Sequence, residues 1–426
     1  KTSITEAVWY LDSAKIKMSK PEFIDINSSY FYSTRVELDS LAFSATDAIY
    51  DINSYALNIK GIPYIKVADA EIIPDNHETT IFENSALQPF ENAKLKIDTL
   101  NGYHNLFDGD ITIHSRKKFE GSATYEMVNS ALDTFNIEFA SFELKGVPVG
   151  DDEVDSMTVS GGSVAETAQL MASANFQFSG DVTMYADKQN LEFDGKVRPT
   201  SRMRGKHDYW INYQASGDSS DVKIDMATAT TTEGLPLNAG IFVDNVSSRI
   251  YTALMENKQR ENDYYLFEAE GIFAYDLEMD EFIIEDHDKT QNHAYGGKSF
   301  IYNDTNGKLV FEGDVELIRP NNHFIVDATV LGTAEPDSNI YFMDAMLGIN
   351  MDVHLSLLQI MAIDLEDVVA QIGPDVAHSN EIEMLYKLAD MIGDEATQHF
   401  ENTSMREYLP LFYADPSIID YLFISN

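Results

Sequence analysis

FIYNDTNGKLVFEGDVELIRPNNHFIVDATV, residues 300–330, reads as strand, turn, strand, turn, strand. Asn303, Asp304, Asn306 and Gly307 are residue types that tolerate turn conformations. After them Leu309, Phe311, Val315 and Leu317 hold the odd positions, with Gly313 between, while Glu312, Asp314 and Glu316 hold the even ones. That period of two is the mark of a strand with one face buried. Arg319-Pro320-Asn321-Asn322 turns the chain again, and Phe324, Val326, Ala328 and Val330 resume the alternation.

The same grammar recurs outward from this stretch. One form is Tyr, then Asp or Asn, then an apolar residue seven positions after the Tyr: Tyr50-Asp51 to Leu57, Tyr275-Asp276 to Phe282, and Tyr302-Asn303 to Leu309. A second form is Phe-x-Gly, then a charged residue and Val or Ile, beginning at Phe107, Phe178, Phe193 and Phe311. This is degenerate repetition of a hairpin unit without a strict period. Short alternating segments fill most of the chain before 345, among them a hairpin across the basic turn Arg116-Lys117-Lys118. The Gly-, Asp- and Ser-rich stretch 146–164 reads as a loop, and 163–173 as a short helix. The pattern then changes. Apolar spacing over 346–372 suits a helix ended by Gly373-Pro374, a second helix fits 381–392, and a third fits 394–401. The expected fold is therefore mainly β: stacked antiparallel strands, elongated like a jelly roll or solenoid, with a C-terminal helical element. The corresponding regions are 1–150, 151–345 and 346–426.

A chain of 426 residues, 44% hydrophobic and carrying 24 Phe and 22 Tyr, has ample material for a core. It contains no cysteine, which removes disulfides, thiol catalysis and Cys-based zinc sites and agrees with export. The formal charge of -42 opposes binding to nucleic acid and to anionic membrane surfaces, and it favours cations. No apolar run is long enough for a membrane-spanning helix. The start at Lys1, with no leader pattern, and the apolar end at 418–424, which reads as a strand cut off from its partner, suggest a processed product or a piece of a longer protein or larger assembly.

No nucleophile elbow, phosphate loop or dinucleotide fingerprint is present, so no catalytic residue is assigned. Gly161-Gly162-Ser163 reads as part of a loop, and Asp108 and Asp110 as the solvent face of a strand. Glu285-Asp286-His287-Asp288, with His293 beyond, is the richest metal-like cluster; its oxygens suit Ca²⁺, and the alternative is a solvated turn. No other cofactor is implied. Lys196, Arg198, Arg202, Arg204 and Lys206 supply five of the 29 basic side chains. They read either as a loop whose charges are met by nearby acids or as a docking patch for a lipid phosphate or an acidic partner.

The three Tyr-turn-return copies and the run 307–317 resemble the OstA-like (organic-solvent-tolerance) repeat of periplasmic lipopolysaccharide-transport proteins. The resemblance covers about 30 residues at 299–331 and, more loosely, 41–61 and 271–284. The chain as a whole looks like segments of large envelope proteins of Bacteroidota. The resemblance implies an open jelly roll with a greasy groove for acyl chains, and a periplasmic or outer-membrane-associated place among envelope proteins or lipid. The basic segment 196–206 or the turn 116–118 would then meet the headgroup. The leading expectation is a non-enzymatic cell-envelope protein that handles lipid or assists outer-membrane assembly. A structural or adhesive surface module stabilised by cations, and a carbohydrate-active protein, stand as alternatives.

Overall fold

The structure is a computed structural model. It describes residues 1–426 except 84, 150–152, 203–204, 207–208, 216–220, 287–288, 290–296, 318–323, 352–353, 355, 358, 362, 365–411, 415–420 and 426. It describes the backbone alone at 147–149, 153–156, 205–206, 324–325, 327, 344, 346–351, 412–414 and 421–425. The architecture is mainly β, in antiparallel sheets, as the alternation predicts. The chain divides into two compact units, 1–197 with 213–221 and 198–212 with 222–426.

The first unit opens with β1 (Glu6–Tyr10), β2 (Lys15–Ser19), β3 (Tyr30–Tyr32), β4 (Ala42–Ser44), β5 (Asp47–Asp51) and β6 (Ala56–Lys60). There follow β7 (Ile65–Val67), β8 (Ala70–Ile73), β9 (Glu78–Ile81), β10 (Phe90–Ile97), β11 (His104–Ser115) and β12 (Lys118–Val128). Then come β13 (Thr134–Val149), β14 (Glu153–Val164), β15 (Met171–Ser173), β16 (Phe176–Tyr185) and β17 (Glu192–Ser201), whose last residues belong to the second unit. One sheet is ordered β1-β2-β5-β6-β9, a small one pairs β3 with β4, and a long one runs β17-β16-β14-β13-β12-β11-β10-β8-β7. Phe139, Phe176, Phe178, Ile59, Ile62 and Ile65 are fully buried in this unit.

The second unit carries β18 (Gly205–Lys206), β19 (Ile211–Ala215), which straddles the division, β20 (Ile224–Asp225), β21 (Asn238–Val243), β22 (Ile250–Glu256) and β23 (Tyr264–Glu268). It continues with β24 (Ile272–Asp276), β25 (Glu281–Glu285), β26 (Ser299–Asn303), β27 (Leu309–Val315), β28 (Phe324–Glu335), β29 (Ile340–Met351), β30 (Phe412–Ala414) and β31 (Tyr421–Ser425). Its main sheet is ordered β20-β24-β25-β26-β27-β28-β29-β31-β30, and a second sheet is ordered β22-β21-β23. The two are layered: the Phe267 ring of β23 lies 6.0 Å from Phe300 and 5.4 Å from Phe311, all three fully buried. Residues 300–330 form β26, β27 and the start of β28, with Leu309, Phe311 and Val315 facing the core.

The Tyr-Asx motif has a geometric cause. Tyr50 pairs directly with Leu57, Tyr275 with Phe282, and Tyr302 with Leu309, so the seven-residue spacing is a cross-strand pair closing a hairpin. The Asx residue caps each turn. Asp51 accepts from the backbone N–H groups of Asn53 and Ser54, Asp276 from those of Glu278 and Met279, and Asn303 from those of Thr305 and Asn306. Two further hairpins have the same form without the Tyr. Ile97 pairs with His104 around Asp98, and Val243 with Ile250 around Asp244. In all five, the residue four after the Asx is left-handed: Tyr55 (φ 55), Gly102 (φ 65), Ser248 (φ 54), Asp280 (φ 59) and Gly307 (φ 70).

Several expectations are corrected. Residues 146–149 and 153–164 belong to the facing strands β13 and β14, so Gly161-Gly162-Ser163 is strand rather than loop, while 150–152 lie outside the described residues. Val147, Val149, Val154, Met157 and Val159 carry the apolar pattern that the Gly and Ser content masks. The expected helix at 163–173 is a single 3-10 turn, Glu166–Ala168, between strands. Residues 346–351 belong to β29, paired with β28 along its length, so cross-strand pairing overrides the helical spacing there. Described residues between 356 and 364 are helical, while 381–392 and 394–401 lie outside the described residues. The terminal apolar stretch has partners after all: β31 pairs with both β29 and β30. No helix among the described residues is long and apolar enough to cross a membrane.

Candidate functional site

The first unit holds a half-open cleft of about 380 Å³ between the β3–β4 pair and the β5-β6-β9 part of its neighbouring sheet. Its floor is a row set by register. Tyr50 of β5 faces Leu57 of β6, Leu57 faces Ile81 of β9, and Ile81 bridges to Leu87. The opposite wall is Phe31 and Phe43, which are direct partners on β3 and β4 with rings 6.4 Å apart, together with Leu41. Phe31, Leu41, Phe43 and Leu87 are buried, whereas Tyr55 is 54% and Phe82 45% exposed at the mouth. The depth is apolar and the lip is aromatic.

Local chemistry places the lip. Asp51 caps the β5–β6 turn, and the N–H groups of Ser54 and then Asn53 hold its carboxyl below the usual carboxylate range, with Lys15 at 3.9 Å. The cap leaves Tyr55 at the left-handed position of that turn, with its side chain on the cleft. Ser85 donates its N–H to the Phe82 carbonyl, closing the loop that presents Phe82. A 3-10 turn, Val36–Leu38, forms another side, from which Arg35 and Leu38 line the cleft. Glu83 is the acid among the lining residues. The loop 33–41 is tied down by Ser33 N–H to the Leu41 carbonyl at 2.9 Å and Leu41 N–H to the Leu38 carbonyl at 3.0 Å.

The residues singled out from sequence lie elsewhere. Lys196 forms an ion pair with Glu166, and the Arg198 guanidinium sits 4.6 Å over the Trp210 ring. Arg202 pairs with Asp280, and its backbone N–H reaches both carboxylate oxygens of Asp304 at 3.0 and 2.9 Å. Asp304 also accepts from the Ser201 hydroxyl, and its side chain is fully buried. Asp280 accepts in turn from Tyr275 and Thr305. The Thr305 and Tyr275 hydroxyls hold the Asp280 carboxyl low, while burial pushes the Tyr275 phenol up. These cations are met by acids and a ring, but Lys196 and Arg198 stand in β17 and Lys206 in β18 rather than in a loop. Arg204 lies outside the described residues, and Lys206 is described only as backbone in β18.

In the metal-like cluster, Glu285 accepts from the Ser299 hydroxyl at 3.0 Å, and Asp286 donates its N–H to the Lys298 carbonyl at 3.1 Å. His287, Asp288 and His293 lie outside the described residues. Among the described residues no group of three or more His, Asp or Glu is placed to hold a metal ion. Tyr50 and Leu57 carry a sequence signal as a Tyr-Asx copy, but the cleft itself carries none, because its other wall comes from separate short strands.

The fold and the cleft thus define an antiparallel β protein with an aromatic-lipped apolar recess. Comparisons of the chain with family models, curated proteins and solved structures find no match.

Proposed function

We propose that this is a non-enzymatic cell-envelope protein that holds an acyl chain of a lipid in the aromatic cleft. The observation that carries the reading is Tyr55. A bulky residue at positive φ is a backbone outlier, costing about 1–2 kcal/mol. Equivalent turns place the smaller Gly102, Ser248, Asp280 and Gly307 at that position. Here the chain tolerates the strain and presents an aromatic ring at the mouth of an apolar recess, and strain of this kind gathers at functional sites. A volume of about 380 Å³ suits one small ligand or one chain. The envelope placement is supported by the lack of cysteine and by the OstA-like resemblance at 299–331.

The test is native mass spectrometry of gently purified protein with organic extraction, followed by titration with a series of alkyl ligands of increasing length. Each methylene entering the cleft should tighten binding by about fourfold, from about 0.8 kcal/mol per buried CH₂, until the recess is full. An affinity independent of chain length, or tighter binding of an oligosaccharide than of any alkyl ligand, would exclude the acyl reading. The charge of -42 favours a second reading, a structural or adhesive surface module stabilised by cations. That reading expects millimolar Ca²⁺ to raise the melting temperature beyond an equal ionic strength of sodium chloride.

A further inference from the structure

We propose that the cleft's ligand is a single-chain amphiphile with an anionic headgroup, held by Arg35 and the basic turn Arg116-Lys117-Lys118; this rests on the acyl reading above. The turn joins β11 to β12 and is tied to the rim of the cleft. Arg116 donates its N–H to the carbonyl of Leu38 at 3.2 Å, and Leu38 and Arg35 line the cleft. The Ala68 N–H donates to the Arg116 carbonyl at 2.9 Å, so the turn is held from both sides. Arg35, Arg116, Lys117 and Lys118 are all exposed.

Charge makes this placement informative. In a chain with 71 acids and 29 basic residues, cations are expected to find carboxylates. Lys196, Arg202, Arg260, Lys289 and Lys298 do so. At the base of the turn, His114 faces Glu120 at 2.8 Å, but among the described residues Arg116, Lys117 and Lys118 form no ion pair. Glu37 and Asp39 of the neighbouring 3-10 turn and Glu83 of the cleft are also exposed, leaving four cations against three acids at this rim. A local cationic excess beside an apolar recess is complementary to one kind of ligand, in which an apolar tail and an anionic group lie a few ångströms apart.

The test compares two probes below their micellar concentrations, dodecyl phosphate and the uncharged dodecyl maltoside, on the whole chain and on the variant Arg116→Gln, Lys117→Gln, Lys118→Gln. The changes lie on an exposed turn, so the fold should stand, which circular dichroism and the melting temperature verify. The expected result is dodecyl phosphate binding about tenfold or more tighter than the maltoside, as one charge-assisted contact allows. The preference should shrink with added salt and vanish in the triple variant while maltoside affinity stays unchanged, and inorganic phosphate alone should not compete at equal concentration. Equal affinities for both probes, or a preference that survives in the variant, would overturn the headgroup site and leave the acyl reading intact. Binding of neither probe would overturn both. Competition by inorganic phosphate at equal concentration would show an anion site independent of the tail and would also overturn the proposal.

Discussion

Tyr55 sits in the left-handed region and Asp51 caps the turn that puts it there. Replacing Tyr55 by Gly removes the ring and relaxes the backbone at once. Tyr55→Gly should therefore leave the melting temperature unchanged or slightly raised while weakening alkyl binding, a separation that a residue serving stability alone would not show. Ser248→Gly, at the equivalent exposed position, isolates the backbone term and should gain up to about 1 kcal/mol in urea unfolding. Asp304 is different in kind. Its buried carboxylate serves the Ser201 hydroxyl and the Arg202 N–H. Asp304→Ala should cost about 3 kcal/mol by leaving those donors without their acceptor. Arg202→Ala should cost much less, because the Arg202 side chain is 66% exposed.

Titration belongs to the same scale. The Asp51 carboxyl is depressed by backbone donors, so its contribution is present above the unfolded carboxyl value of about 3.9 and is lost as the pH falls through the lower folded value. Asp51→Asn keeps an acceptor, as Asn303 does in its own turn. It should be less stable than the parent at pH 7, with the difference closing below about pH 4. His104 acts in a higher window. It is fully buried, with Nε2 at 2.7 Å from the Lys188 carbonyl and 3.1 Å from that of Tyr185. Burial pushes the imidazole down even against those carbonyls. A histidine held neutral in the folded state loses stability as the pH falls below its unfolded value of about 6.5. The slope of unfolding free energy between about pH 6.5 and 5 should accordingly be shallower in His104→Gln.

Hairpins are the element from which both units are made, and their glycines mark where strands come closest. Phe178 and Phe193, the heads of two Phe-x-Gly copies, pack edge to face with centroids 4.9 Å apart on β16 and β17. Two residues on, Gly180 and Gly195 face each other so closely that a Cβ on Gly180 would lie 2.6 Å from the Gly195 Cα. Gly180 also has φ 151. Gly180→Ala should cost about 1–3 kcal/mol through backbone strain and overpacking. Gly161 in β14 has open space where a Cβ would go, so Gly161→Ala should be neutral or gain about 0.5–1 kcal/mol. Parallel urea titrations of the two variants check both signs.

At the scale of the molecule, the net charge of -42 opposes compaction. Added monovalent salt should raise the melting temperature steadily, since screening acts on exposed charges at about a 10 Å Debye length in 0.1 M salt. A melting temperature unchanged from 10 to 300 mM sodium chloride would show that repulsion among the acids costs the folded state little.

Residue order alone dictates the strand, its period and the turn. Residue alternation decides which face is buried, and an Asx residue closes a hairpin with its own near neighbours, so the 300–330 stretch and the three Tyr-Asx hairpins were legible. Local chemistry could not decide pairing between distant strands. It concealed that 146–149 and 153–164 are paired strands, because Gly and Ser suit a strand as well as a loop. It let 346–351 pass as helix, because cross-strand partners alone make that segment extended. Only the tertiary structure set Phe31 and Phe43 against the Tyr50-Leu57-Ile81 row and brought the turn 116–118 to the rim at Leu38. Those contacts join residues far apart in the chain, and the free energy that selects them comes from burial across sheets, which no local pattern records.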